Sequence, residues 1–190
     1  MSERKTAPVI LFTYNRPEHT RNTMEALAAN ELADKTELYI FSDAAKPKKD
    51  ESEAAELAWR ENVKKVEQIR ADAADITGFA SVTLVERHEN YGLARNVIEG
   101  VTEIVNRYGK VIVLEDDLVT NPFFLRFMND GLDRYEKEKR VTGVTGYSFL
   151  DDATDYDKPS YLCGLTGTSC GRHGQTAGKR LTRMQQAGSG

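Results

Sequence analysis

Short apolar runs alternate along this chain with longer stretches in which apolar residues recur every three or four positions. That order predicts strands alternating with helices. Val9–Thr13 is the first run, strand one. Pro17 then stands where a first helical residue belongs, with Asn15 near the cap, and Met24, Leu27 and Ala28 give that helix an apolar stripe. Leu38–Ser42 reads as strand two, ending at Asp43, and a charged, proline-containing loop, Lys46–Asp50, follows. A long helix is expected from Glu51 to about Ala74: Val63, Val66, Ile69 and Ala73 fall at helical spacing, with Trp59 on the same side. Ser81–Glu86 is strand three. Leu93, Val97, Val101, Ile104 and Tyr108 mark the next helix, with Gly109 as its C-cap, and Lys110–Leu114 is strand four. Asn121-Pro122 starts another helix, with Phe124, Phe127, Met128 and Leu132 turned inward, and Val141–Tyr147 is strand five. Together these elements predict an α/β fold, a doubly wound, mostly parallel sheet with helices on both faces.

The pattern changes near the end. Seven of the 14 glycines lie in Tyr161–Gly190, where apolar residues are sparse and aperiodic. Residues 1–160 are therefore read as one domain and 161–190 as a glycine-rich, poorly ordered tail. With 190 residues, 39% of them hydrophobic, the chain is long enough for one domain with its own core.

A net charge of −4 argues against a broad nucleic-acid surface. No apolar run is long enough to span a bilayer or to form a signal-peptide core. The expectation is a cytoplasmic protein, with peripheral membrane contact left open. Cys163 and Cys170, with His173 nearby, fit no standard zinc spacing and read as incidental thiols. His19 and His88 read as surface or helix histidines rather than ligands.

Residues 111–117, Val-Ile-Val-Leu-Glu-Asp-Asp, join a buried-type strand to three carboxylates. Adjacent acids repel unless water, a cation or a phosphate–metal complex sits with them. In open α/β sheets ligands bind beyond the carboxyl ends of the strands. Four strand exits converge there: Thr13-Tyr14-Asn15-Arg16, Asp43, the segment 87–96, and Glu115-Asp116-Asp117. Each has a plain structural alternative. Asp43 suits a ribose or base N–H, or a cap; Tyr14 suits base stacking, or a half-buried loop. Gly92, Arg95 and Asn96 open a helix at which an anion would be favoured, or Asn90 simply caps that helix. Asp117 is the carboxylate singled out for a divalent metal, because Mg²⁺-like ions take one or two carboxylates and complete their shell with substrate phosphates.

Strand one with Thr13-Tyr14-Asn15-Arg16-Pro17, Asp43 after strand two, Asn90-x-Gly92 opening a helix, and Val113-Leu114-Glu115-Asp116-Asp117-Leu118 together resemble GT-A-fold glycosyltransferases, and most of all bacterial family-2-like sugar transferases. The acidic run also resembles that of the N-acetylglucosaminyltransferase I family. The resemblance covers about Ala7 to Tyr161. It implies inverting transfer from a nucleotide-diphosphate sugar, with UDP favoured, to a glycan or other hydroxyl acceptor, assisted by Mn²⁺ or Mg²⁺. It places the nucleoside at Thr13–Arg16 and Asp43, the nucleotide or diphosphate near Asn90, Gly92, Arg95 and Asn96, the ribose and sugar near Glu115 or Asp116, and the metal on Asp117.

One departure counts against a complete enzyme. Relatives follow the Gly143–Phe149 region with a Trp-rich segment and a part carrying the base, whereas the only tryptophan here is Trp59. Asp151, Asp152, Asp155 and Asp157 are available acids that no motif marks as a base, and they read as a solvated loop. A truncated or frame-altered product is one expectation. A nucleotide-sugar and metal binding module without transfer is the alternative to the enzyme. A phosphotransfer reading fits less well, because the acidic run is on strand four and begins with Glu.

Overall fold

The computed structural model describes residues 5–146. In chain order the elements are β1 (Val9–Thr13), α1 (Pro17–Ala28), a 3₁₀ turn (Ala33–Lys35), β2 (Glu37–Ser42), α2 (Glu53–Asp75), β3 (Ser81–Glu86), α3 (Gly92–Tyr108), β4 (Ile112–Glu115) and α4 (Phe124–Arg134). The four strands form one parallel sheet in the order β3-β2-β1-β4.

This order positions the site. The chain steps outward from β1 through β2 to β3, then crosses back to place β4 on the other side of β1. Right-handed crossovers running in opposite directions put their helices on opposite faces of a sheet. Met24 and Leu27 of α1, Ala73 of α2 and Leu125, Met128 and Leu132 of α4 meet Val9, Leu11, Leu38, Ile40, Ile112 and Leu114 on one face. Val101, Ile104 and Val105 of α3 meet Ile10, Phe12, Tyr39 and Phe41 on the other. The central strands β1 and β2 are covered on both sides, so their apolar runs are continuous rather than alternating. The sheet is thus α/β and parallel with helices on both faces, as the pattern predicts.

Local sequence accounts for the helix ends. Pro17 is the first residue of α1. Ser52 caps α2, its hydroxyl accepting from the Ala55 N–H at 3.2 Å. Gly109 ends α3 at φ 78°, in the left-handed region. α3 also passes close to the sheet at Gly100, where a Cβ would lie 2.9 Å from Phe12 Cε1 and 3.2 Å from Phe41 Cδ1.

Asn15 does stand next to the α1 cap, which is Arg16 without a side-chain cap, and the Asn15 amide is engaged by α2. Several expectations change. Trp59 and Leu93 are exposed, since both lie on helical turns that precede the buried portions of α2 and α3, where burial begins at Val66 and Asn96. Asn121-Pro122 forms a turn ahead of α4: the Pro122 carbonyl accepts from Glu31, and Asn121 Oδ1 accepts from the Phe123 N–H. Leu125, not Phe127, is the buried residue of that first turn; its N–H is capped by Oδ1 of Asn30 at 3.0 Å. Val141–Gly146 forms no continuous strand, only an isolated bridge at Thr145, and Val144 packs instead on Gly131 of α4. Tyr147, the acids at 151–157, Cys163, Cys170, His173 and the 161–190 tail lie outside the described residues.

Candidate functional site at the carboxyl edge of the sheet

Strand order reverses between β1 and β4, and the crevice beyond that reversal is where open α/β sheets bind ligands. Register places Phe12 beside Glu115, so the next residues, Thr13 and Asp116, leave the sheet side by side. Arg16, in the loop after β1, reaches across the crevice. Its Nη1 donates to Asp117 Oδ2 at 2.8 Å and lies 3.8 Å from Asp116 Oδ1. Sequence spacing brought these residues to one edge; the ion pair between them is what the structure adds.

The three acids differ. Asp116 is 6% exposed, and its carboxyl takes a backbone hydrogen bond from Tyr14. Burial pushes Asp116 above the usual carboxylate range, against the opposing pull of Arg16 and the Tyr14 N–H. Glu115 is also raised, by partial desolvation at the strand end and then by the charges of Asp117 and Asp116. Asp117 stays half in water. The Arg16 guanidinium is held more firmly protonated by its hydrogen bond to Asp117 and the charge of Asp116. Thr13 is 3% exposed, and its Oγ1 has no hydrogen-bond partner among the described residues.

The residues between Thr13 and Arg16 are fastened to α2. The Tyr14 hydroxyl accepts from Nδ2 of Asn62 at 2.8 Å and from the Lys46 N–H at 3.2 Å. Nδ2 of Asn15 donates to Oδ1 of Asn62 at 3.0 Å. One amide therefore grips two successive loop residues. Nothing in the spacing singled out Asn62; its only signal was a polar residue beside Val63 on a helix otherwise read for its apolar face.

Asp43 is engaged as a cap. It is 4% exposed, and all its acceptor positions go to the chain itself: Oδ1 accepts from the Ala44 and Tyr91 N–H groups at 2.9 and 2.8 Å, and Oδ2 from the Gly92 N–H at 2.9 Å and Asn90 Nδ2 at 3.2 Å. A strand-end carboxylate thus satisfies the orphan donors at the start of α3 and complements its dipole. Asn90 also donates to the Ala44 carbonyl, and Gly92 adopts φ 70°. No protein atom lies within 4 Å of its Cβ position, so within the chain itself it is the left-handed backbone that calls for glycine at Gly92.

Arg95 and Asn96 are drawn into a stacked array. The Arg87 guanidinium lies 5.1 Å from the Phe41 ring centre and 4.6 Å from that of Tyr91, and Arg95 lies 3.6 Å from Tyr91. Asn96, buried, accepts from Arg87 Nε at 3.0 Å, while Arg95 pairs with Glu99 and Glu89. Arg87 Nη2 is buried with no hydrogen-bond partner among the described residues. Arg87 was not picked out individually from the sequence; its position directly after β3 was the available signal.

Among the described residues no three His, Cys, Asp or Glu side chains converge into a metal cage. Asp116 and Asp117 nevertheless suit a hard cation that brings phosphate oxygens of its own, because such an ion needs only one or two carboxylates. Arg16 is the positive partner these acids have here. Among the described residues no helix is long and apolar enough to cross a membrane.

No protein-family model and no curated protein matches the sequence. Solved structures similar to it include two of S. aureus TarS. One matches at 14% identity and a TM-score of 0.44, over 69% of this chain and 20% of the other. The second, TarS 1-349, matches at 13% identity and a TM-score of 0.46, over 88% of this chain and 47% of the other. This chain spans less than half the length of either. Likenesses at this level leave the chemistry of the site to its own geometry.

Proposed function

We propose that the carboxyl edge of this sheet binds a nucleotide-diphosphate sugar, UDP-linked by preference, and serves inverting transfer of the sugar to an acceptor hydroxyl. The observation that carries this reading is the Arg16–Asp116–Asp117 cluster spanning the crevice between β1 and β4. It combines a cation suited to a diphosphate with carboxylates suited to a divalent metal or sugar hydroxyls. The order of motifs along the chain, which resembles GT-A glycosyltransferases, supports the same assignment.

In this reading Asp117, with Asp116 beside it, would hold Mn²⁺ or Mg²⁺, and Arg16 would face the diphosphate. A bound divalent cation supplies neutralisation of the charge that grows on the leaving diphosphate. Tyr14 and Asn15, fixed by Asn62, border the nucleoside side of the crevice. Asp43 acts through backbone geometry, holding the start of α3 in place. Glu115, exposed at the end of β4, would face the ribose or sugar, as would Asp116.

A second reading is favoured by a specific observation. Asp43 is saturated by the chain itself, and the first reading assigns Glu115, Asp116 and Asp117 to donor and metal, which leaves none of these four as acceptor base. A nucleotide-sugar binding module without transfer accommodates that arrangement. Calorimetric titration with UDP, with and without Mn²⁺, tests the common premise. Metal-dependent binding is the expected result, and its absence for UDP and the other nucleoside diphosphates alike would overturn both readings. Release of UDP from UDP-sugars in the presence of hydroxyl acceptors then separates enzyme from module.

A further inference from the structure

An apolar groove of about 420 Å³ lies beside the acidic run, lined by Leu114, Leu118, Val119, Phe123, Phe124 and Phe127 with Gly146 on its wall. Val119, Phe123 and Phe127 are 71%, 57% and 47% exposed, which leaves two phenyl rings and a branched side chain in water on one surface. A contiguous patch of this kind marks a surface built to be covered.

The path of the chain indicates what covers it. Val144 is buried against Gly131, and Gly146 lies so close to α4 that a Cβ there would sit 2.6 Å from Phe124 Cε2 and 3.3 Å from Met128 Sδ. The backbone is therefore already seated on the apolar side of α4 when it reaches the groove. The next four residues are Tyr147-Ser148-Phe149-Leu150, three of them large and apolar. Four extended residues reach about 13 Å, enough to cross a groove of this size. Tethering at the groove wall gives them an effective concentration on the order of millimolar, which a second copy of the chain does not match at ordinary protein concentrations.

We propose that this groove is an intramolecular docking site whose ligand is the chain's own Tyr147–Leu150 segment. Leu118, on the groove wall, is the residue after Asp117, so whatever occupies the groove borders the acidic run. On the function proposed above, the groove thus links the sequence beyond Gly146 to the donor site.

The test uses the full chain with Cys163→Ser and Cys170→Ser. Phe149→Cys is combined in turn with Val119→Cys, Phe123→Cys and Phe127→Cys, and Phe149→Cys with Leu57→Cys serves as the control. Mild oxidation is expected to produce a disulfide within the monomer for at least one groove pair and none for the control. Absence of an intramolecular link in all three pairs, or links only between chains, would overturn the proposal, the latter in favour of a second copy as the occupant. Hydrogen exchange of Phe149→Asp in the otherwise native chain gives an independent check. Amides of 118–127 should exchange at least several-fold faster, and unchanged rates with an intact circular dichroism spectrum count against docking.

Discussion

Arg16 Nη1 stands 2.8 Å from Asp117 Oδ2, so the loops that follow β1 and β4 are joined by an ion pair across the point where strand order reverses. Both partners are substantially exposed, and pairs of this kind contribute at most ~1 kcal/mol to stability. Arg16→Ala and Asp117→Ala should therefore leave thermal unfolding nearly unchanged while nucleotide binding changes. Asp117→Ala is expected to abolish the metal-dependent part of UDP binding. Calorimetry on both variants checks this, and unchanged binding in Asp117→Ala would remove that residue from the site.

Asp116 gives a pH prediction with a definite sign. Its carboxyl is raised in the folded state, so the folded protein holds this proton more tightly than the unfolded chain does. Stability from this group falls as pH rises from the ordinary carboxylate range through the raised one, and the full cost is present at neutral pH. Asp116→Asn should be more stable than the parent at pH 7, and the difference should vanish near about pH 3, where both forms are uncharged. Denaturant midpoints measured at the two pH values decide it. A variant no more stable at pH 7 would show that Arg16 and the Tyr14 N–H outweigh burial.

Asp43→Ala removes a buried cap that receives three backbone N–H groups and an amide. The expected cost is about 2 kcal/mol, the upper end of the range for lost caps. Asp43→Asn, which keeps an acceptor oxygen, should lose less. Urea unfolding of the two variants should rank them in that order; equal losses would point to charge rather than acceptor geometry.

Gly100→Ala pushes a methyl group into the Phe12 and Phe41 rings, which sit 5.5 Å apart centre to centre under α3. Destabilisation of about 1–3 kcal/mol is expected from overpacking. Thermal unfolding gives the value, with Gly109→Ala as a comparison in which only the left-handed backbone is strained.

Most of the fold was legible because β1 and β2 are buried on both sides and carry unbroken apolar runs, while α3 has a clean stripe at Val97, Val101 and Ile104. β3 matched its expected bounds even at the sheet edge, where its burial alternates only as far as Leu84. The inward assignments of Trp59, Leu93 and Phe127 failed for a shared reason. Periodicity identifies a face, but not how far along the helix that face stays in contact with the sheet. The site was legible as a set of strand exits. Its internal wiring was not, because it depends on contacts such as Asn62 with Tyr14 and Arg87 with Asn96, which are distant in sequence or lie outside any motif. Asp43 illustrates the limit: a strand-end carboxylate suits a ligand or a helix start, and its contacts with the Tyr91 and Gly92 N–H groups are not visible in the sequence.

The Asn62 clasp also constrains how this chain can change over time. The helix is anchored to the core by Val66, Ile69 and Ala73, and it presents Asn62 one turn earlier to the loop after β1. Each added or deleted residue between Asn62 and Val66 would swing the amide by about 100° around the helix axis. Substitutions on the outer face of α2 should be freely tolerated, whereas insertions and deletions in that one turn should be rare. The spacing between Asn62 and Val66 is thus a length standard, and the loop after β1 inherits its position from it.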